Sequence, residues 1–436
     1  GEVEVQPKDI IRFQEKLDSE MAVILDIPTG QEGSKERAKW TVAETIRRAD
    51  EALSLIARSD ILWVGPVQGG LYPDLVAYSA REMSKRTFAI HALGSPTPVM
   101  QQYQFETLVD MIMAAKLNLP PDRPLHLFGA GHPMMFSLAV ALGCDIFDSA
   151  SYALFARKGR YMTSQGTAKL EDLEYFPCNC PACHGQKPED IRRLLPVERE
   201  RFLASHNLHS CHTELQTVKQ AIIDGRLWEL VEARSLNHPS LRRAFRRMLQ
   251  YADELERETP IRKRKAPFIT SFESLCRPEI LRHQQRLLTL YEPPARAKQV
   301  LLLPESYLRP FRNSMQETWL KKAERRSGVH ICSYGLTYGV IPQELLDVYP
   351  LSQTVDSISP TKTTIDFTIR RIAAYLEKAK YKSCVIVTEE PWQLNAAESL
   401  RKKLARKMKF RVIESGDDKK ELSSQIPKAL KGQKQR

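Results

Sequence analysis

The densest chemistry in the chain is a run of six residues, Cys178-Asn179-Cys180-Pro181-Ala182-Cys183. Three thiolates and one imidazole close a tetrahedral shell around zinc with no position left for water, so a metal bound here would be structural. His206 is the expected fourth ligand, because it opens a helical segment with room to reach back. His184, His209 and His212 compete for the role, and His184 is adjacent to Cys183, where chelation is strained. The alternative is a set of reduced, unliganded thiols. A second group sits at the ends of apolar runs. Asp148 follows the run Cys144 to Phe147 and precedes Ser149-Ala150. A carboxylate there is either a nucleophile or charge stabiliser at a sugar anomeric carbon, or the N-cap of the next helix. Asp26, before Ile27-Pro28-Thr29, admits the same two readings. Gln68-Gly69-Gly70 and Gly129-Ala130-Gly131-His132 offer an amide side chain and bare backbone that a flat heterocycle could approach, or else they are ordinary tight turns.

Something must hold these residues in place, and the hydropathy pattern says what. Pro7 starts a helical period through Ile10, Phe13 and Leu17, and the apolar run from Met21 to Leu25 follows. The alternation repeats with a helix over about 35–58, a strand at 61–64, a helix at 73–85 and a strand at 88–93. It continues with a helix at 106–119, a strand at 125–128, a Pro133-initiated helix and the strand at 144–147. Continuous apolar strands separated by helices imply a parallel sheet covered on both faces, with function at the carboxyl ends of the strands. Asp26, Gln68, Gly94, Gly129 and Asp148 all fall there, as in a (β/α)8 barrel or a doubly wound sheet. The chain begins at Gly1 and not at methionine, and an incomplete front end is expected.

Beyond Asp148 the pattern gives way to the cysteine-rich loop and to helices over about 205–256. Leu241, Phe245, Met248 and Leu255 fall on one face of these helices and Arg242, Arg243, Arg246 and Arg247 on the other. A basic, Pro-bounded stretch from Thr259 to Pro267 reads as a domain boundary. A second α/β unit follows, with strands at 299–303, 329–333 and 383–387 and helices at about 364–380 and 398–409. The polar, lysine-rich residues 417–436 read as a flexible tail.

The chain has 436 residues, of which 42% are hydrophobic and 27% charged, and it has no apolar stretch long enough to span a bilayer. Two or three globular domains are expected, with no membrane association. Eight cysteines are too few for a secreted disulfide scaffold of this length, and the three that crowd together point to metal in a reducing compartment. The formal charge of +12 favours a polyanionic partner, with nucleic acid the first suspect. Arg157-Lys158-Gly159-Arg160 and Arg262 to Lys265 are the first candidates for phosphate contacts, ahead of Arg242 to Arg247 and Arg401 to Lys407.

Several motifs in one order resemble a known family. These are Leu25-Asp26-Ile27-Pro28-Thr29, Val67-Gln68-Gly69-Gly70, His126-Leu127-Phe128-Gly129-Ala130-Gly131-His132-Pro133, Asp145-Ile146-Phe147-Asp148-Ser149-Ala150-Ser151-Tyr152, and Cys178 to Cys183 with His206. Together they look like the archaeal tRNA-guanine transglycosylases. The resemblance continues through Leu303-Pro304-Glu305-Ser306-Tyr307 and Tyr338 to Leu345, which are similar to the family's accessory domain.

The resemblance implies an incomplete (β/α)8 TIM barrel, its last five strands, over residues 1–258, with a zinc subdomain at about 175–215. A smaller α/β accessory domain over 259–416 and the tail would follow. The implied activity is exchange of guanine at position 15 of the tRNA D arm for the deazaguanine preQ0, a step of archaeosine biosynthesis. Asp148 matches the nucleophile that attacks C1′ of the ribose, giving a covalent intermediate. Asp26 and Gln68 match residues that bond the base edge, and Gly69 lines the same pocket. Gly94 belongs with them, in a Gly94-Ser95-Pro96 sequence where the family more often has a paired glycine. Cys178, Cys180, Cys183 and His206 match the ligands of one structural Zn2+. The implied partners are tRNA, preQ0 and guanine, and a second copy of the chain in a homodimer, in the cytoplasm. The family's first three strands, with a second aspartate, find no match, and neither does its C-terminal RNA-binding PUA domain. The alternatives are a non-catalytic tRNA-binding subunit or half of a split enzyme, and a paralogue resembling archaeosine synthase.

Overall fold

A computed structural model describes residues 5–30, 34–308, 328–415 and 419–430. The chain divides into two compact units, Gly1–Tyr251 and Ala252–Arg436. The division falls at the start of the helix Ala252–Glu258, a few residues before the expected boundary, because that helix packs on the helix Pro278–Thr289 of the second unit.

In the first unit, five strands form one parallel sheet: β1 (Met21–Val23), β2 (Leu62–Val67), β3 (Ile90–Leu93), β4 (Leu125–Leu127) and β5 (Ile146–Phe147). Their spatial order is β1-β2-β3-β4-β5. A doubly wound sheet reverses direction at a switch point, whereas consecutive barrel strands do not, so the unbroken order is consistent with part of a (β/α)8 barrel. The intervening helices are α1 (Pro7–Leu17), α2 (Lys35–Leu55), α3 (Pro73–Ser84), α4 (Thr97–Gln101), α5 (Phe105–Lys116) and α6 (Phe136–Ala141). Ser34 caps α2, accepting the Arg37 N–H, so Asp26 has no capping role there.

Register fixes which residues share the inner face. Val64 lies opposite Ile90, Pro66 opposite Ala92, Ala92 opposite His126, and His126 opposite Ile146. With the two-residue period of strands, Val64, Ile90 and Ala92 form an apolar floor, packed by Val23, Phe128 and Ile146. The same rows continued past the strand ends carry Gln68, Gly94 and Asp148.

His91 lies on the opposite face and is 1% exposed, and neither ring nitrogen has a side-chain hydrogen-bond partner among the described residues. Burial, helped by the Arg123 charge, pulls its pKa down to about 4. The unfolded chain binds this proton below about pH 6.5 while the folded chain does not, so folded stability is present above that pH. It is lost as pH falls toward 4, by about 3 kcal/mol in all for a shift of this size. His91→Leu should flatten the acid limb of a stability profile measured by urea unfolding between pH 7 and 4; parallel profiles would refute this assignment.

After β5 come α7 (Ser151–Arg157) and a hairpin not expected from the sequence, β6 (Arg160–Thr163) with β7 (Gly166–Lys169). Then follow α8 (Pro188–Arg192), α9 (Pro196–Asp224), α10 (Leu227–Ser235) and α11 (Pro239–Met248). The expected apolar face of α11 is buried at Leu241, Phe245 and Met248. Its basic face is not simply solvated: Arg243 pairs with Glu106 at 2.9 Å and Arg247 with Asp110 at 2.7 Å, both on α5.

The second unit holds α12 (Ala252–Glu258), β8 (Phe268–Ile269), α13 (Pro278–Thr289), β9 (Gln299–Pro304), α14 (Glu305–Leu308), β10 (Val329–Gly335), β11 (Gly339–Pro342) and β12 (Val355–Asp356). It continues with α15 (Lys362–Ala379), β13 (Ser383–Thr388), α16 (Pro391–Leu404), β14 (Lys409–Glu414) and α17 (Lys419–Leu430). Its main sheet runs β11-β10-β9-β13-β14, parallel except for β11. Leu301, Leu303, Val385 and Val387 serve one apolar layer, and Val300, Leu302, Cys384 and Ile386 the other.

Two expectations need correction. The helix expected at 398–409 ends at Leu404, and Lys409 opens strand β14. The expected flexible tail contains α17, whose Leu422, Ile426 and Leu430 recur every fourth residue and bury in the same core layer as Val385. Frequent lysines and Pro427 mask that stripe in the sequence.

Candidate active site

Asp148 follows β5 directly, where a side chain reaches past the floor of the sheet. Its Oδ1 accepts the Gly129 N–H at 2.8 Å and lies 2.9 Å from His126 Nε2. An ionised carboxylate only accepts, so that imidazole nitrogen carries the hydrogen. The His126 contact, aided by the Gly129 amide, holds the Asp148 carboxyl below the usual aspartate range although burial acts against it. The side chain remains 58% exposed, and its Oδ2 has no hydrogen-bond partner among the described residues. One oxygen is tethered and the other is free to face a substrate.

The capping reading of Asp148 does not hold, because Ser149 Oγ accepts the Ser151 N–H at the start of α7. Asp145, three residues earlier, is occupied in the scaffold, accepting the Leu125 N–H at 2.9 Å. Gly129 has φ +65°, a conformation that disfavours side chains, and a Cβ there would lie 2.5 Å from Thr97 Oγ1. Glycine therefore both allows the turn and presents the amide to Asp148.

Across the same end of the sheet, Gln68 is buried and bonded at both ends of its amide. Its Nε2 donates to Asp26 Oδ2 at 2.6 Å, while its Oε1 accepts from Ser95 Oγ at 3.0 Å and from the Thr29 N–H at 3.2 Å. Donors at one end and an acceptor at the other fix the amide orientation. Burial pushes the Asp26 carboxyl above its ordinary value, with the Gln68 hydrogen bond pulling the other way. The two carboxyls are thus driven apart, Asp148 downward and Asp26 upward.

Gly69 donates its N–H to Thr29 Oγ1 at 3.3 Å, and at φ +147° a Cβ would lie 2.5 Å from the Val76 backbone nitrogen. Gly94 has a different task. A Cβ on it would lie 2.2 Å from Gln68 Nε2, so the glycine leaves the space the amide occupies. Gly94→Ala should drive Gln68 out of its bond with Asp26 and destabilise the fold by about 1–3 kcal/mol; a denaturant unfolding curve coinciding with that of the parent chain would refute this role of the glycine.

The cysteine loop and α9 bring together Cys178, Cys180, Cys183 and His206, with ligand atoms all within 4.8 Å of one another. His206 Nδ1 lies 3.3 Å from Cys183 Sγ and 3.6 Å from Cys180 Sγ. Bond lengths usual for zinc with thiolate and imidazole, at tetrahedral angles, put sulfur and nitrogen about 3.5 Å apart. His206 Nε2 is engaged by the Met162 carbonyl at 2.9 Å, and the ring stacks on Tyr161 at 3.5 Å. Both supports come from β6, and the carbonyl fixes the tautomer that turns Nδ1 toward the thiols. Of the competing histidines, His184 turns away to bond Asn179 Oδ1 at 2.7 Å, and His209 and His212 lie outside the group. These four residues could hold a metal ion.

His126 carries no role in the sequence reading, since a histidine inside an apolar strand reads as core. The hairpin behind His206 escapes that reading entirely, although Gly159 and Gly166 bracket it. Of the favoured basic segments, Arg157 pairs with Glu200 at 3.0 Å and Lys263 pairs with the buried Glu279, so both have structural uses.

Known proteins match this chain over much of its length. The family described as queuine tRNA-ribosyltransferase matches residues 1–240, and a domain of unknown function, DUF5591, matches residues 280–430. A tRNA-guanine(15) transglycosylase of Methanocaldococcus jannaschii is 43% identical over 359 residues, covering 81% of this chain and 53% of the relative. That of Thermococcus kodakarensis is 46% identical over 286 residues, covering 66% and 49%. That of Sulfolobus acidocaldarius is 37% identical over 392 residues, covering 89% and 76%. The chain thus spans about half the length of the first two relatives and three quarters of the third. No helix among the described residues is long and apolar enough to cross a membrane. With more than half of its residues matched and its polar side chains gathered at one end of an unreversed parallel sheet, the chain belongs to the queuine tRNA-ribosyltransferase family.

Proposed function

We propose that this chain carries the base-exchange site of a tRNA-guanine(15) transglycosylase, replacing guanine at position 15 of the D arm with preQ0. The observation that supports this most directly is Asp148, with one carboxylate oxygen held by Gly129 and His126 and the other open. In this reading the target nucleotide is extruded from its stack, and Asp148 Oδ2 attacks C1′ of the ribose. The C1′–O bond forms as the C1′–N9 bond breaks, and guanine departs with the electron pair and takes up a proton. The incoming base then gives up its N9 proton to the medium, forms the C1′–N9 bond as the C1′–O bond breaks, and releases the Asp148 carboxylate. Asp26 and Gln68 hold the hydrogen-bonding edge of either base, with Gly69 and Gly94 setting how closely it approaches.

The metal proposed for Cys178, Cys180, Cys183 and His206 is zinc; a closed four-ligand shell supplies structural support and no open coordination position. The wider reading includes tRNA as partner, which the transglycosylase names of the relatives support, together with a homodimer and a cytoplasmic location. Incubating the chain with tRNA and radiolabelled preQ0, followed by nuclease mapping, tests the reaction. Label confined to position 15 is expected; incorporation elsewhere, or none, would overturn this reading.

A further inference from the structure

Of the turn Gly129-Ala130-Gly131-His132, only Gly129 has a task in the site described above. His132 closes the turn. Its Nδ1 accepts the Met134 N–H at 3.2 Å, so in the neutral ring the hydrogen sits on Nε2, which donates to Thr167 Oγ1 at 2.7 Å. Burial pulls its pKa down to about 4, which keeps the ring neutral near pH 7. Both nitrogens are therefore committed, and neither is left to carry a proton for a departing or arriving base. Gly131 is gripped from a second direction. Its carbonyl accepts the thiol of Cys211, on α9, at 3.1 Å, and a Cβ on it would lie 1.9 Å from Oγ of Ser149, the residue after Asp148.

The partners of this turn lead to the candidate metal group. Thr167 belongs to β7, where it pairs with Met162 of β6. The Met162 peptide is held on both sides: its N–H donates to Asn207 Oδ1 at 2.8 Å, and its carbonyl meets His206 Nε2 at 2.9 Å. Asn207 is fully buried and also donates to the Tyr152 and Arg160 carbonyls, at 3.0 and 3.1 Å. His206, Met162, Thr167 and His132 thus form one succession of hydrogen bonds and strand pairing. It ends on the turn whose Gly129 amide grips Asp148.

We infer that His132 and Thr167 are positioning residues for base exchange, fixing the turn so that the Gly129 amide stays on Asp148 Oδ1 and Oδ2 remains open. The inference rests on the base-exchange reading of Asp148. At its near end the turn is tied to β4 through the Ala130 N–H and the Leu127 carbonyl, a long bond of 3.4 Å. The clamp at its far end therefore sets where Gly129 lies.

Thr167→Val removes the hydroxyl and keeps the branched shape that suits a strand, whereas Thr167→Ser keeps the hydroxyl. The Asp148 carboxyl can be titrated by NMR in the full chain carrying 13C-labelled aspartate, its signal being the one missing from Asp148→Asn. In Thr167→Val the midpoint should rise by a few tenths of a pH unit, because a carboxylate that loses an N–H donor holds its proton more readily, and Thr167→Ser should restore it. In exchange of labelled guanine into tRNA, kcat should fall about tenfold in Thr167→Val while KM for guanine stays within about twofold, since misplacing the nucleophile slows chemistry and spares binding. The titration needs no exchange, so a parent chain without activity would count against the base-exchange reading while the midpoints still decide whether Thr167 positions Asp148. A Thr167→Val midpoint equal to that of the parent chain would overturn the inference. A Thr167→Ser variant shifted as far as Thr167→Val, or a loss seen in KM alone, would overturn it as well.

Discussion

Asp148→Asn is expected to abolish both guanine exchange and the covalent RNA adduct, lowering the exchange rate by about 10⁴-fold or more, as removal of a nucleophile does elsewhere. The amide is nearly isosteric and can still accept the Gly129 N–H, so the fold should survive. Labelled tRNA incubated with a poorly exchanging base and run on a denaturing gel should show a retarded band with the parent chain and none with the Asp148→Asn variant. His126 separates orientation from chemistry. His126→Phe keeps an aromatic ring against Phe128 but loses the bond to Oδ1, so an adduct should still form, about ten to a hundred times more slowly. The pH profile carries an independent sign. Because His126 holds the Asp148 carboxyl below its ordinary value, the acid limb of kcat/KM should move to higher pH in His126→Phe. Exchange by Asp148→Asn within tenfold of the parent chain would sink the nucleophile assignment, whatever the histidine variant does.

That Asp148 rather than Asp145 stands open at the end of the sheet illustrates how much could be read in advance. Both aspartates flank the short run Ile146-Phe147, and hydropathy alone leaves each able to cap a helix or face a ligand. Pairing of His126 with Ile146 decides between them, since it sends Asp148 to the inner face above the floor while Asp145 turns back to the Leu125 amide. Register is a property of neighbouring strands, and no single strand states it. The strands themselves were legible because each is a continuous apolar run, and their alternation with helices predicted the parallel sheet. Its unreversed order was not legible, and that order separates a barrel from a doubly wound sheet. Failures came where the local pattern was weak. The ten residues around β6 and β7 contain too little apolar sequence to announce a hairpin, and α17 hides three core residues among lysines. The pattern put Gly94 at a strand end but not its task; the amide of Gln68 occupying the space of its missing Cβ supplies the physical cause.

Metal removal should produce the largest loss of structure. The cluster of Cys178, Cys180, Cys183 and His206 lies against a small core of Ala156, Tyr161, Leu170, Ile191 and Leu203, with Leu173, Phe176 and Phe202 packed at its edge. Structural zinc sites contribute apparent binding free energies of about 10 to 16 kcal/mol in peptides, comparable with the roughly 5 to 15 kcal/mol that holds a whole domain folded. Dialysis against a strong chelator should therefore open the loop to protease between about residues 173 and 195, while the five-stranded sheet, with its own core, persists longer. Restoring zinc should reverse the cleavage susceptibility, and metal analysis should return one zinc per chain. His206→Ala should lose the ion, because only Nδ1 of that ring faces the thiols. His184→Ala should keep it, because His184 lies outside the shell and bonds Asn179. Equal metal loss in the two histidine variants would contradict the ligand set, and a chelated protein cleaved no faster than the untreated one would contradict a structural role for the ion.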